Sequence, residues 1–88
     1  MSLTLHQLEL FVALAKCLSM TRLSKEMHVS QSAISHQIKR LQRDFGRPLI
    51  KSRGRGVALT AEGTKFLRHA KAVLSRIDGL YRKPSSKT

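Results

Sequence analysis

A mainly α-helical fold is what this 88-residue sequence predicts: a three-helix core, a two-stranded β-hairpin and one long final helix. Three observations predict it. Apolar residues recur at helical spacing in three segments before residue 46. Gly54 and Gly56 sit between two short apolar stretches and mark a tight reversal. A heptad of apolar residues then runs from Phe66 to Leu80. The length allows one small domain, which buries roughly 60–65% of its chain surface. With 41% apolar and 5% aromatic residues, the core must be built from Leu, Ile, Val, Met and Ala. Little material remains for an enclosed pocket.

Thr4 caps a first helix running to about Cys17, with Leu5, Leu8, Phe11, Val12 and Ala15 on its core face. Gln7, Glu9 and Lys16 face elsewhere. Ser19 caps a second helix of about eight residues, turning Met20, Leu23 and Met27 inward. His28-Val29-Ser30 forms the following turn, where Val29 plugs the space between helices. Ser30 caps the third helix, Gln31 to about Phe45, and Gly46 supplies the backbone freedom of a C-cap.

The third helix has two contrasting faces. At about 100° per residue, Ile34, Ile38, Leu41 and Phe45 cluster in one stripe. Ser32, His36, Lys39 and Arg43 lie about 180° away, flanked by Ser35 and Arg40, with Gln31 exposed at the N-terminal turn. A merely solvated helix face usually carries Glu–Lys pairs. This outer face has no acid and mixes donors of several shapes.

Pro48-Leu49-Ile50-Lys51 and Gly56-Val57-Ala58-Leu59 flank Ser52-Arg53-Gly54-Arg55, which reads as a two-stranded wing. An isolated hairpin this short is marginal, so it must lean on the helices. Thr60 caps the last helix, with Glu62 in its positive first turn. From Thr60 to Tyr81 that helix extends ~33 Å at ~1.5 Å per residue, longer than so small a core can cover. Its first turns are expected to pack on their own domain and its later turns on a second subunit. The seam residues Phe66, Ala70, Val73, Leu74, Ile77, Leu80 and Tyr81 are the expected dimer interface. Residues 1–59 form the expected core-and-wing domain, 60–82 the long helix and 83–88 a flexible tail beginning before Pro84.

Charge indicates the partner. The net charge is +12, and residues 47–88 carry eleven Lys and Arg against Glu62 and Asp78. Such a one-sided excess repels itself unless a polyanion is bound, so nucleic acid is the expected ligand. Arg47, Lys51, Arg53 and Arg55 suit phosphate contacts, which provide affinity and salt sensitivity. Gln31 can pair with adenine and Lys39 with guanine, while Ser32, Ser35 and His36 offer shorter contacts. Ser19, Thr21 and Arg43 are further backbone-contact candidates.

No enzyme is legible. His6, His28, His36 and His69 are dispersed without a cysteine at zinc spacing, so neither a metal site nor a cofactor is expected. The five acids form no pair, and no nucleophile motif, Walker loop or Rossmann fingerprint occurs. Cys17 is the only cysteine, which excludes an internal disulfide and leaves it a packing role. No apolar run approaches the ~20 residues of a membrane span. A cytoplasmic, nucleoid-associated protein is the expectation.

At this point the residues resemble a known family, the LysR-type transcriptional regulators, in their N-terminal winged helix-turn-helix. The resemblance lies in Phe11, Ser19-Met20-Thr21 and the run His28-Val29-Ser30-Gln31-Ser32-Ala33-Ile34-Ser35. Gln37-Ile38-Lys39-Arg40-Leu41, Phe45-Gly46-Arg47-Pro48-Leu49 and Leu59-Thr60-Ala61-Glu62-Gly63 continue it in order. It covers about residues 3–82. It implies a bacterial transcription factor that reads double-stranded DNA with its third helix and dimerises through the fourth, the family's linker helix. Thr21, Gln31, Ser32, Ser35, His36 and Lys39 match family DNA-contact positions, with the wing around Arg53 and Arg55. Family sites are interrupted palindromes, as a symmetric dimer requires.

The sequence departs from the family at several positions. Arg is usual where His36 stands, which replaces a strong bidentate donor by a titratable one. Two alanines are usual at Leu23 and Ser24, and an Arg at Ser52. Arg53 can substitute for that Arg only from the opposite face of the strand. The family's effector-binding domain lies outside these residues, so either an excised domain or a natural short form is expected, with effector control elsewhere. Two rival readings remain. Charge alone accommodates non-specific nucleic-acid binding, and the seam alone accommodates a module that forms mixed dimers with a full-length regulator.

Overall fold

The computed structural model describes residues 3–81. Helices α1 (Leu5–Cys17), α2 (Met20–Met27) and α3 (Gln31–Phe45) come first. A hairpin of β1 (Ile50–Arg53) and β2 (Gly56–Leu59) follows, and α4 (Ala61–Tyr81) completes the order. The three-helix core, wing and long helix are therefore those expected. The expected tail at 83–88 lies outside the described residues.

Local hydrogen bonding sets the helix starts. Thr4 and Gln7 form a reciprocal capping box: Thr4 Oγ1 accepts from the Gln7 N–H at 3.1 Å, and Gln7 Oε1 from the Thr4 N–H at 2.8 Å. Ser19 and Ser30 accept from the Arg22 and Ala33 N–H groups, each at 3.1 Å. Thr60 Oγ1 accepts from the Gly63 N–H at 2.9 Å and donates to the Pro48 carbonyl at 2.8 Å, tying the start of α4 to the start of the wing. Leu18, His28 and Gly46 end the first three helices in the left-handed region.

The core has two joined parts, with α1 between them. Leu10 and Leu14 of α1 pack with Leu23, Ile34 and Ile38. Phe11 packs instead with Leu41, Leu49, Phe66 and Ala70. The Phe66 ring meets Phe11 and Phe45 edge-on, with centroids 5.2 and 5.0 Å apart.

Several expectations are corrected by this packing. The core face of α1 is centred on Leu10, Phe11 and Leu14, while Leu5 is 45% exposed. Gln7 is buried rather than outward, because the capping box fixes its oxygen and its Nε2 donates to Asp44 Oδ2 at 3.0 Å. Met27 and Val29 are exposed. The turn is closed by backbone instead of an apolar plug: the Val29 N–H donates to the Ser24 carbonyl at 3.0 Å. Ser24 is accommodated in the interior because its hydroxyl donates to the Thr21 carbonyl at 2.7 Å. Phe66 and Ala70, expected at a dimer seam, are 7% and 2% exposed within their own domain.

The wing leans on both α1 and α3. Its strands pair antiparallel, Ile50 with Leu59 and Arg53 with Gly56, across a two-residue turn. Gly54 at φ 56° supplies the left-handed residue that turn needs. Gln42 Oε1 accepts from the Leu49 and Ile50 N–H groups at 2.7 and 3.0 Å, clamping the first strand to α3. On the second strand, the Val57 N–H donates to the Leu18 carbonyl at 3.0 Å. A side chain at Gly56 would collide with that carbonyl oxygen. The left-handed Leu18 thus faces the strand across a contact only glycine permits.

Candidate nucleic-acid interface

Burial of Ile34, Ile38 and Leu41 leaves the opposite face of α3 on the surface. Gln31, Ser32, His36, Lys39 and Arg43 are exposed there, and Ser35 is half-buried at its margin. At the N-terminal end of that face α2 makes a direct contact, where Thr21 Oγ1 donates to Gln31 Oε1 at 2.9 Å. The Ser32 hydroxyl lies 3.3 Å from the Ser30 hydroxyl. Ser19 is half-buried, and its hydroxyl oxygen already accepts the α2 capping bond. Its remaining capacity is one O–H proton and one lone pair.

The wing carries Lys51, Arg53 and Arg55, all exposed. Ile50 packs on both halves of the core, so strand alternation puts Ser52 on the Ile50 side and Lys51 with Arg53 on the other. Arg53 therefore does not occupy the face on which Ser52 stands. Arg47 differs from its basic neighbours, because it binds Glu62 at 2.9 Å and links the α3–β1 connection to α4.

The acids nearest these surfaces are taken up in ion pairs. Glu26 lies 3.7 Å from Arg22, and Asp44 lies 4.0 Å from Arg40 while also accepting from Gln7. Lys39, Arg43, Lys51, Arg53 and Arg55 have no ion pair among the described residues. Each retains its donors for an anion. Among the described residues no cluster of His, Cys, Asp and Glu could hold a metal, and no helix is long and apolar enough to cross a membrane.

Two features were not legible from sequence. The Thr21–Gln31 bond spans ten positions and depends on how α2 crosses the start of α3. The other is an apolar hollow of about 570 Å³ between the start of α1 and α4, lined by Leu5, Leu8, Phe45, Phe66, Ala70 and Val73. Beyond it, α4 continues with Leu74 and Ile77 half-buried and with Leu80 and Tyr81 at 80% and 84% exposure.

Comparison with known proteins agrees with this arrangement. Residues 5–64 match the family described as bacterial regulatory helix-turn-helix protein, lysR family. The Hca operon transcriptional activator HcaR of Escherichia coli K12 is 42% identical over 74 residues, covering 84% of this chain and 25% of that protein. The glycine cleavage system transcriptional activator of the same strain is 39% identical over 79 residues, 90% of this chain and 26% of that protein. The chain thus spans about a quarter of the length of these relatives. Among solved structures, CbnR_DBD in its DNA complex superposes with a TM-score of 0.81 at 36% identity, covering 86% of this chain and 87% of that one. BenM_DBD in complex with catB site 1 DNA also superposes at 0.81, with 31% identity over 89% of this chain and 88% of that one. The chain belongs to the LysR family of bacterial helix-turn-helix regulators.

Proposed function

We propose that this domain binds double-stranded DNA sequence-specifically and regulates transcription as a dimer. The outer face of α3 carries the proposal: it exposes Gln31, Ser32, His36, Lys39 and Arg43 without an acid among them. In this reading α3 lies in the major groove, with Gln31, Ser32, Ser35, His36 and Lys39 toward base edges. Arg43 and the wing residues Arg53 and Arg55 approach phosphates, and Ser19 has one hydroxyl proton for the same purpose. CbnR_DBD and BenM_DBD, which share the fold, are themselves DNA-bound.

The dimer is proposed to form through the second half of α4. Val73, Leu74, Ile77, Leu80 and Tyr81 make its stripe, while Phe66 and Ala70, mostly taken up by their own core, contribute only the floor of the adjoining hollow. Two α4 helices laid antiparallel about Val73 set Leu80 of one protomer opposite Phe66 of its partner, each seven residues from the crossing. The exposed Leu80 then covers the hollow that Phe66 and Ala70 floor. In this division residues 1–59 with the first turns of α4 form the DNA-binding body, and the remainder of 60–82 joins the two bodies.

Binding of specific and scrambled duplexes across a salt series tests the function. Specific binding predicts a preference that persists as salt rises. Equal affinities at every salt would leave only counterion release and overturn the reading.

A further inference from the structure

We infer that Thr21 is a specificity-determining positioning residue, which fixes the orientation in which the Gln31 carboxamide meets a base. The inference rests on the DNA-binding reading above. Thr21 is the second residue of α2 and Gln31 the first of α3. The Thr21 hydroxyl donates to Gln31 Oε1 at 2.9 Å, and both side chains are exposed.

A hydroxyl carries a single proton. Given to Gln31, it is not available to a phosphate oxygen, so a phosphate contact at Thr21 falls to its backbone N–H in the first turn of α2. The amide consequence is specific. Gln31 has two lone pairs on Oε1 and two N–H groups on Nε2. Thr21 occupies one lone pair, and the positive N-terminal end of α2 favours oxygen rather than NH2 on that side. The remaining Oε1 lone pair and an Nε2 N–H then present an acceptor and a donor side by side. That pair complements the N6 amino group and N7 of adenine. Without Thr21 the amide is free to turn over, and the two roles exchange places.

The test uses duplexes selected from a random pool by the wild-type chain, followed by a base-substitution panel for Q31A, T21V, T21S and the double variant. Q31A identifies the base pair that Gln31 reads. At that pair T21V is expected to lose about 3- to 10-fold of the preference, the equivalent of one hydrogen bond. T21S, which keeps the donor, is expected to retain the preference, and T21V is expected to add nothing in the Q31A background. The salt slope stays unchanged throughout. Uniform weakening for every base in T21V, or intact preference at the Gln31 pair, overturns the positioning role while leaving DNA reading intact. A wild-type chain that enriches no sequence overturns both.

Discussion

Replacing Arg55 by alanine removes one charge per protomer from the wing and nothing else. Arg55 stands in the two-residue turn between Arg53 and Gly56, exposed and outside any ion pair among the described residues. The left-handed residue of that turn is Gly54, so the substitution leaves the hairpin geometry in place. Each phosphate contact contributes ~0.9 to the slope of log affinity against log salt. A two-fold dimer presents two wings, so the slope flattens by ~1.8. The wild-type advantage then shrinks by ~12-fold as salt rises fourfold, from about 50 to about 200 mM. Fluorescence anisotropy on one specific and one scrambled duplex reads both quantities, with the same loss expected on each. Parallel salt lines would refute the phosphate contact, and a change in base preference would refute its assignment to the backbone.

Lys39→Ala should relax preference at one position per half-site and cost ~1–3 kcal/mol there, measured with single-base-substituted duplexes. An equal loss on every duplex would reassign Lys39 to phosphate. Gly56→Ala drives a methyl group into the Leu18 carbonyl, and overpacking of this kind costs ~1–3 kcal/mol. Urea unfolding should register that loss, whereas an unchanged midpoint would contradict the docking of the wing on α1. Leu80→Asp places a charge on a residue 80% exposed in the single chain, so the fold should persist while the dimer dissociates. Sedimentation showing an undiminished dimer would exclude the seam at the end of α4.

The elements easiest to read from sequence were those with local causes. Thr4, Ser19, Ser30 and Gly46 act on backbone groups within a few residues, so they marked helix ends reliably. The inner stripe of α3 was equally legible, because Ile34, Ile38, Leu41 and Phe45 recur at intervals of four, three and four and acid-free polarity fills the opposite face. The first helix was harder. Its many apolar residues allow two overlapping stripes, and only packing against α2, α3 and α4 selects Leu10, Phe11 and Leu14 over Leu5. A buried Gln7 is unexpected from polarity alone, since its partner Asp44 lies 37 positions away.

The fourth helix shows why a heptad under-determines its use. One stripe serves the domain core at Phe66 and Ala70 and then emerges as exposed surface at Leu80. Periodicity does not mark where one task ends. The candidate site follows the same pattern: the outer α3 residues were legible as a group, but the bond by which Thr21 holds Gln31 belongs to the crossing of two helices.

Selection of duplexes from a random pool tests most directly whether two copies of α3, held at a fixed separation, read DNA together. The expected product is an inverted pair of half-sites at a constant spacing of about 10 base pairs or a multiple of it. An unenriched pool would contradict sequence-specific reading, and enrichment of isolated half-sites at random spacing would contradict the dimer.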